Sequence, residues 1–309
     1  MSSTFAMSAI ELGLLYTLLT FGLFISYRIL DIPDLTVDGS FTLGGAVAVI
    51  MTMQGRPFLG IAGAIGAGIL AGLVTALLQT KLKIQPILSG ILTMTGLYSI
   101  NIMVMEDKSN ISLLGVETIF TKLEKVVGED YVVMIVGIVV VVIVSVLLAI
   151  FFNTKTGLAI RATGDNEDMV RSSSINVDFM KIIGLALANA LVALSGALVA
   201  QKQAFADIGM GTGMVVIGIA SLIIGEVIID IFVKQRGIKA NIIAAIMGSI
   251  IYRFIITLAL VFDISATSMK LVAAIIVTLA ISYPVIKKGI HAKLNQRARM
   301  KGDENSVRS

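Results

Sequence analysis

Long apolar runs, separated by short polar breaks, make up most of the chain. They cover roughly 8–29, 41–54, 58–79, 86–105, 131–152, 182–201, 214–232, 240–261 and 270–286. Most are about 20 residues long, the length of helix that crosses the hydrocarbon core of a bilayer. Pro33, Pro57, Pro86 and Pro284 fall at or near run ends, where a missing N–H and a fixed φ do least harm to a helix. The pattern predicts an all-α polytopic membrane protein with about nine hydrophobic segments, eight to ten allowing for error at the boundaries.

One run breaks the rule. The segment 41–54 is too short to cross a bilayer as a straight helix, and it follows LDIPDLTVDGSF, which is too polar for lipid and too rich in Pro, Gly and Asp to be helical throughout. Irregular backbone at such depth survives only where protein or a water-filled cavity surrounds it. A similar start recurs later: DGSFTLGGAVAVIM from Asp38 and DIGMGTGMVVIGIA from Asp207 each run from an aspartate through small residues into a glycine-bearing helix. Counting spans puts the two on opposite sides of the membrane, the pattern of an inverted repeat with interrupted helices around a central pathway. Two glycine-rich helix starts that merely look alike are the other reading. Small residues recur every four positions at Ala64, Gly68, Gly72 and Ala76, and at Gly184, Ala188, Gly196 and Ala200 with Val192 between. Such stripes predict close helix packing.

Composition agrees with a bilayer as solvent. The 309 residues are 57% hydrophobic and 14% charged, more apolar surface than a soluble domain of this size can hide. There is no cysteine, and the single histidine, His291, lies in a polar tail, so disulfides, thiolate sites and histidine-built metal sites or triads are excluded. The formal charge of +4 does not point to nucleic acid, because its basic residues gather after the last apolar run, at Lys287, Lys288, Lys293, Arg297, Arg299 and Lys301. That cluster suits anionic headgroups and predicts a cytoplasmic C-terminus. The organisation expected is one transmembrane domain over 1–290 and a basic cytoplasmic tail over 291–309. Counting back, Lys81 and Lys83, the island 154–181, and the loop with Lys234, Arg236 and Lys239 are cytoplasmic, while 106–130 is external. The N-terminus shows no basic n-region or small-residue cleavage site, and reads as part of the mature protein.

Charges within spans are costly and are therefore functional candidates. Glu226 and Asp230 lie one turn apart, and Arg253 lies in the next span; antiparallel neighbours bring Glu226 and Arg253 within reach of each other, either as a helix-pinning ion pair or as a substrate site. Asp230 is assigned to the interface with Lys234 and Arg236. Asn101, Asn189, Ser195 and Gln201 are polar positions able to bond between helices or to face a pathway. No nucleophile–base set, no metal spacing and no G-x-x-x-x-G-K-[ST] phosphate loop is present, so no catalytic or metal-binding residues are assigned.

The island 154–181, which opens with TKTGLAIRATGDNEDMVRSSSINVD, carries nearly balanced charge: Lys155, Arg161, Arg171 and Lys181 against Asp165, Glu167, Asp168 and Asp178. Retention by positive charge does not require the acids. A turn at Gly164–Asp165 leads to a short helix capped by Asp165 or Asn166, with Glu167 and Asp168 in a first turn whose dipole favours acids. Met169, Val170 and Ala162 offer a small apolar surface. A docking element and an ordinary cytoplasmic linker both fit these residues.

GLAIRATGDNEDMVRSSSINV resembles the cytoplasmic signature of permease subunits of bacterial ABC importers, in the branched-chain amino acid and ribose permease superfamily, which reads close to G-x-x-x-R-A-x-G-x-N-x-x-x-A-x-x-x-G-I-N. RILDIPDLTVDGSFTLGGA (28–46) is similar to a subgroup whose proposed cargoes include aromatic amino acids such as tryptophan. The resemblance runs from about residue 10 to 290. It implies a homodimer in the bacterial cytoplasmic membrane, each copy seated on a cytoplasmic ATPase that binds and hydrolyses ATP, with an extracytoplasmic binding protein delivering the solute and no cofactor on this subunit. It implies ATPase coupling through Gly157, Arg161, Ala162, Gly164, Asp165, Asn166, Glu167, Met169 and Val170. Ser172, Ser173 and Ser174 depart from the Ala and Gly that the family prefers, which bears on helix packing there.

On this reading the chain is a non-catalytic permease forming the path for a small polar solute, an amino acid by subgroup. The pathway or its gate is expected at Asp34, Asp38, Ser40, Phe41, Asp207 and Gly211. An ion-coupled secondary transporter of inverted-repeat architecture is the main alternative; it needs a buried coupling carboxylate, for which Glu226 is the candidate. An intramembrane enzyme is a distant third.

Overall fold

The computed structural model describes residues 2–128, 131–232 and 237–261, together with positions 271, 272, 274, 275, 278 and 282. Helices dominate. In order they are α1 (Ser2–Leu23), continued by a π-helical turn (Phe24–Ile29), α2 (Thr36–Met53), α3 (Pro57–Thr80), α4 (Pro86–Val104), α5 (Ile119–Val127), α6 (Val132–Phe151), α7 (Lys155–Asp165), α8 (Glu167–Ser172), α9 (Val177–Gln203), α10 (Met214–Phe232) and α11 (Ile238–Val261). Strands β1 (Asn110–Ser112) and β2 (Phe205–Asp207) pair antiparallel, Asn110 opposite Asp207.

Seven helical stretches among the described residues are long and apolar enough to span a bilayer. The expected count of about nine is therefore too high here. Of the other two expected segments, 214–232 is helical but stands outside the seven, and 270–286 lies outside the continuously described residues, as does the basic tail. The expected short run at 41–54 is also corrected. Its helix starts at Thr36 and has 18 residues, because the polar stretch before it is enclosed by protein and supplies its own cap.

The helix ends follow local chemistry. α3 and α4 begin at Pro57 and Pro86, where no intrahelical N–H is needed. Asn176 caps α9 by accepting the Phe179 N–H at 3.0 Å. α9 ends at Ala204, whose φ of 58° is left-handed.

α1 and α9 are buried almost throughout and form the centre of the bundle, whereas α4 and α6 expose most of their apolar side chains, as lipid-facing helices do. The small-residue stripes are contacts. A Cβ on Gly68 would lie 2.4 Å from the Asn189 carbonyl oxygen, and one on Gly196 would lie 2.0 Å from that of Phe41. Backbones this close exclude any side chain at those positions. Ser195 and Ser249 add hydrogen bonds across helices, to the carbonyls of Leu15 (2.8 Å) and Gly13 (2.7 Å).

The bundle has two ends. At one, β1 pairs with β2, and Gln201 accepts the Ile119 N–H (2.9 Å) while donating to the Pro57 carbonyl (3.1 Å). At the other, α7 and α8 lie beside the end of α1 and the start of α9. Lys83 approaches Asp178 to 4.0 Å there, so the 81–83 loop and the polar island share one end, as charge counting required.

Candidate functional site

Two polar helix starts come from opposite ends of the bundle and meet inside it. α2 and α9 run parallel: Ser40 meets Asn189, and Gly44 packs on Ala193. α1 is antiparallel to α9, since Gly22 packs on Ala188 and Glu11 pairs with Lys202. α10 runs with α1, because Gly218 packs on Leu23 and Glu226 meets Arg28. α2 and α10 are thus opposed in direction, as interrupted helices of an inverted repeat are.

The irregular backbone at 30–35 is enclosed by protein and satisfied by side chains. Asp34, 1% exposed, accepts the Thr36 N–H at 2.9 Å and so caps α2. Asn189 Nδ2 donates to Asp34 (2.8 Å) and to the Leu185 carbonyl (3.0 Å), and Asn189 Oδ1 accepts from the Ser40 hydroxyl (2.7 Å). A carboxylate taken out of water needs such donors. These three residues pin α2 to α9.

One turn further on, Asp38 does the same for the other helix. Its two oxygens accept the N–H groups of Gly213 and Val215, each at 2.9 Å, at the start of α10. The Gly211 N–H donates to the Thr42 hydroxyl at 3.0 Å. A Cβ at Gly211 would lie 1.9 Å from the Asp38 carbonyl oxygen, so only glycine permits this approach. Both converging N-termini therefore already face a carboxylate of the chain itself.

A cavity of about 340 Å³ lies beside this junction, between α2 (Asp38, Gly39, Thr42), α4 (Met94, Thr95, Tyr98, Asn101) and the 208–212 segment (Ile208, Gly211, Thr212). Its size is at the small end for solute sites, and its lining mixes apolar bodies with a few polar groups. A second cavity of about 270 Å³ touches the same segment at Gly209 and Met210 and reaches Phe41 and Tyr16, whose rings stack with centroids 5.8 Å apart. Two larger grooves, of about 490 and 610 Å³, are apolar except for Thr93 and hold nothing to orient a polar solute.

The expected pathway residues divide accordingly. Asp38 and Gly211 line the first cavity, and Phe41 and Asp207 the second. Asp34 and Ser40 line neither and serve the Asn189 network. Asn101 lines the first cavity; its Nδ2 donates to the Gly39 carbonyl at 3.2 Å, while its buried Oδ1 has no hydrogen-bond partner. Met94, Tyr98 and Asn101 share one face of α4 at helical spacing, a signal present in the sequence once Asn101 is taken as the anchor.

Glu226 and Arg253 are not brought together as a pair. Gly225 packs on the Ala244 carbonyl and Gly248 on that of Ser221, so the antiparallel register of α10 and α11 sets Arg253 level with residues before Ser221. Glu226 Oε1 instead lies 3.0 Å from Arg28 Nε, and the Arg253 guanidinium stands 4.0 Å over the Tyr16 ring. Lys234 and Arg236 lie outside the described residues. The Glu11–Lys202 ion pair, part-buried in α1 and α9, has no counterpart among the expected sites.

At the other end, the polar island is two helices rather than a loop and one helix. Thr154 caps α7, accepting the Gly157 N–H at 3.2 Å, and the turn falls at Asn166, which caps α8 by accepting the Met169 N–H at 3.0 Å. Gly164 sits against the Ile29 carbonyl, where a Cβ would come within 1.9 Å. Glu167 pairs with Lys181, and Arg171 lies 3.8 Å from Asp178, so half of the balanced charge fastens α8 to α9. Arg161, Asp165 and Asp168 take no part in these pairs. Of the three apolar residues expected at the surface, Met169 is 54% exposed, Val170 is buried at 1%, and Ala162 lies between. Among the described residues no group of His, Cys, Asp and Glu side chains is placed to hold a metal.

The family described as the permease component of the branched-chain amino acid transport system matches residues 5–282. The chain is 40% identical over 271 residues to a tyrosine transport system permease protein of Clostridioides difficile (strain R20291), covering 87% of this chain and 88% of that one. An uncharacterized protein of Rickettsia prowazekii (strain Madrid E) is 34% identical over 275 residues, 89% of this chain and 96% of its own. A ribose import permease protein of Escherichia coli (strain K12) is 26% identical over 259 residues, 80% and 75% respectively.

Proposed function

The chain belongs to the branched-chain amino acid transport permease family, and from that premise we propose that it is the membrane subunit of an ABC importer for an amino acid. It works as a homodimer, coupled to separate cytoplasmic ATPase subunits and fed by an extracytoplasmic binding protein. The observation that carries the reading is the polar cavity at the junction of α2, α4 and the 208–212 segment, within a multi-pass membrane bundle whose relative is called a tyrosine transport permease. This subunit holds no cofactor; ATP belongs to the ATPase, in keeping with the lack of a phosphate loop in the sequence.

The mechanism assigns one end of the bundle to energy input and the enclosed junction to the solute. α7 and α8 seat in the ATPase, and ATP-driven closure of the two ATPases draws both coupling elements inward. α7 contacts the π-helical turn after α1 through Gly164, and that turn continues by the 30–35 segment into the Asp34 cap of α2. A displacement of α7 thus reaches the α2–α10 junction through contiguous backbone. Because the delivering protein selects the cargo, the cavity need only orient it.

Reconstitution with the ATPase and the binding protein tests this. Labelled tyrosine uptake into proteoliposomes should require ATP, persist when ionophores collapse ion gradients, and survive Glu226→Gln. Uptake that follows an ion gradient and ignores ATP would establish the secondary-transporter alternative instead.

A further inference from the structure

We infer that the cavity between α2, α4 and the 208–212 segment recognises the amine end of its solute, through Asp38 and Asn101, and offers the carboxylate end no cation. This deepens the transport reading above and rests on it.

The lining holds one charged side chain, Asp38, and no Lys, Arg or His. Asp38 accepts the backbone N–H groups of Gly213 and Val215, and that of Met214 also lies against it. An ionised carboxylate offers about four acceptor positions, so capacity remains for a donor from the cavity. Asn101 adds a second acceptor. Its Nδ2 is committed to the Gly39 carbonyl, which fixes the amide, and its Oδ1 is left without a partner although the residue is 1% exposed. A buried acceptor in that state is unfavourable; less than 1 Å² of it is accessible, so a solute donor reaches it by displacing the adjoining side chains.

Of the four hydroxyls in the lining, two already donate within the chain, and those of Tyr98 and Thr212 remain. Thr42 donates to the Asp38 carbonyl (3.2 Å) and Thr95 to that of Ile91 (2.8 Å). Tyr98, 54% exposed, contributes an aromatic ring, which attracts a cation on its face. A carboxylate entering the same space finds no cation. It also finds no open helix N-terminus, because Asp34 and Asp38 already occupy those of α2 and α10. The two remaining hydroxyls can reach either end of a solute, but the one charge of the lining is negative, so the cationic end gains most.

The absence of cysteine from the sequence makes the test clean. Thr212→Cys places one thiol at an exposed position of the lining, and Thr95→Cys gives a second, independent label. The purified permease in nanodiscs is labelled with a small maleimide in the presence of tyrosine methyl ester, whose amine is free, or N-acetyltyrosine, whose amine is blocked. Half-protection is expected at a concentration at least about tenfold lower for the ester, the discrimination that a charge-assisted hydrogen bond provides.

Asn101→Leu leaves the α10 cap intact and should remove most of that protection, with an unchanged elution volume in size-exclusion chromatography showing that the fold is kept. Equal protection by the two compounds, stronger protection by N-acetyltyrosine, or full protection in Asn101→Leu would each overturn the inference. Absent protection alongside ATP-driven uptake overturns the cavity assignment alone. Uptake that ignores ATP overturns the transport reading itself.

Discussion

The carboxylate of Asp38 accepts the backbone N–H of Val215 at 2.9 Å, joining the first turn of α2 to the first turn of α10 across more than half of the chain. The same group accepts the Gly213 N–H and borders the polar cavity. A single side chain thus satisfies one interrupted helix, fixes it to the other and faces the space between α2 and α4.

Loss of that cap should be measurable. Asp38→Ala leaves the N–H groups of Gly213 and Val215, around the start of α10, without this acceptor and is expected to lower stability by about 1–2 kcal/mol. The midpoint of thermal unfolding in nanodiscs reads it, and Asp38→Asn should retain part of the difference. An unchanged midpoint for the alanine variant would mean that α10 begins without this carboxylate.

Asn189 carries a larger share. Replacing it with leucine strips Asp34 and Ser40 of a partner at once, in a place water does not reach. A loss of at least about 2 kcal/mol is expected, since buried polar groups are orphaned. Adding Ser40→Ala to Asn189→Leu should cost less than the sum of the single changes, because the two residues share one hydrogen bond. Strict additivity in chemical denaturation would remove the network from the account.

Glycine positions give a sharp contrast. A Cβ on Gly44 would lie 2.0 Å from the Ala193 carbonyl oxygen, whereas nothing lies within 4 Å of one on Gly66. Gly44→Val should abolish the monodisperse peak in size-exclusion chromatography, because helix backbones must separate to admit the side chain. Gly66→Ala should elute as the parent protein and change stability by no more than about 0.5 kcal/mol. A well-behaved Gly44→Val protein would contradict the α2–α9 contact.

Two adjacent residues separate folding from docking in the polar island. Met169 is exposed and Val170 is buried against the bundle. Met169→Asp should leave the protein folded but reduce co-purification of the ATPase by about tenfold or more, as loss of a hot-spot anchor does. Val170→Asp should instead lower the yield of folded protein, since it buries an unpaired charge. Charge reversal at both Arg161 and Asp165 should likewise disrupt the complex while sparing the fold. Normal ATPase binding by all three surface changes would displace coupling from this element.

Much of this was legible in the chain. Apolar run lengths specified spanning helices, Pro57 and Pro86 marked two helix starts, and the small-residue stripes marked where backbones touch. Asn166 as a cap could be read from its neighbours, because capping is local chemistry among residues a turn apart. Asp38, Gly211 and Asn101 were recognisable as unusual within apolar surroundings. Their partners were not.

Sequence alone determined the solvent, the element type and the residues that could not be left unsatisfied, because hydropathy, helix length and capping act over short distances along the chain. Tertiary structure alone decided which groups satisfy one another: Asp38 with α10, Asp34 and Ser40 with Asn189, Glu226 with Arg28 rather than Arg253. These pairings depend on helix direction and on the register that close-packed glycines impose, quantities set by the whole bundle and carried by no local stretch of residues.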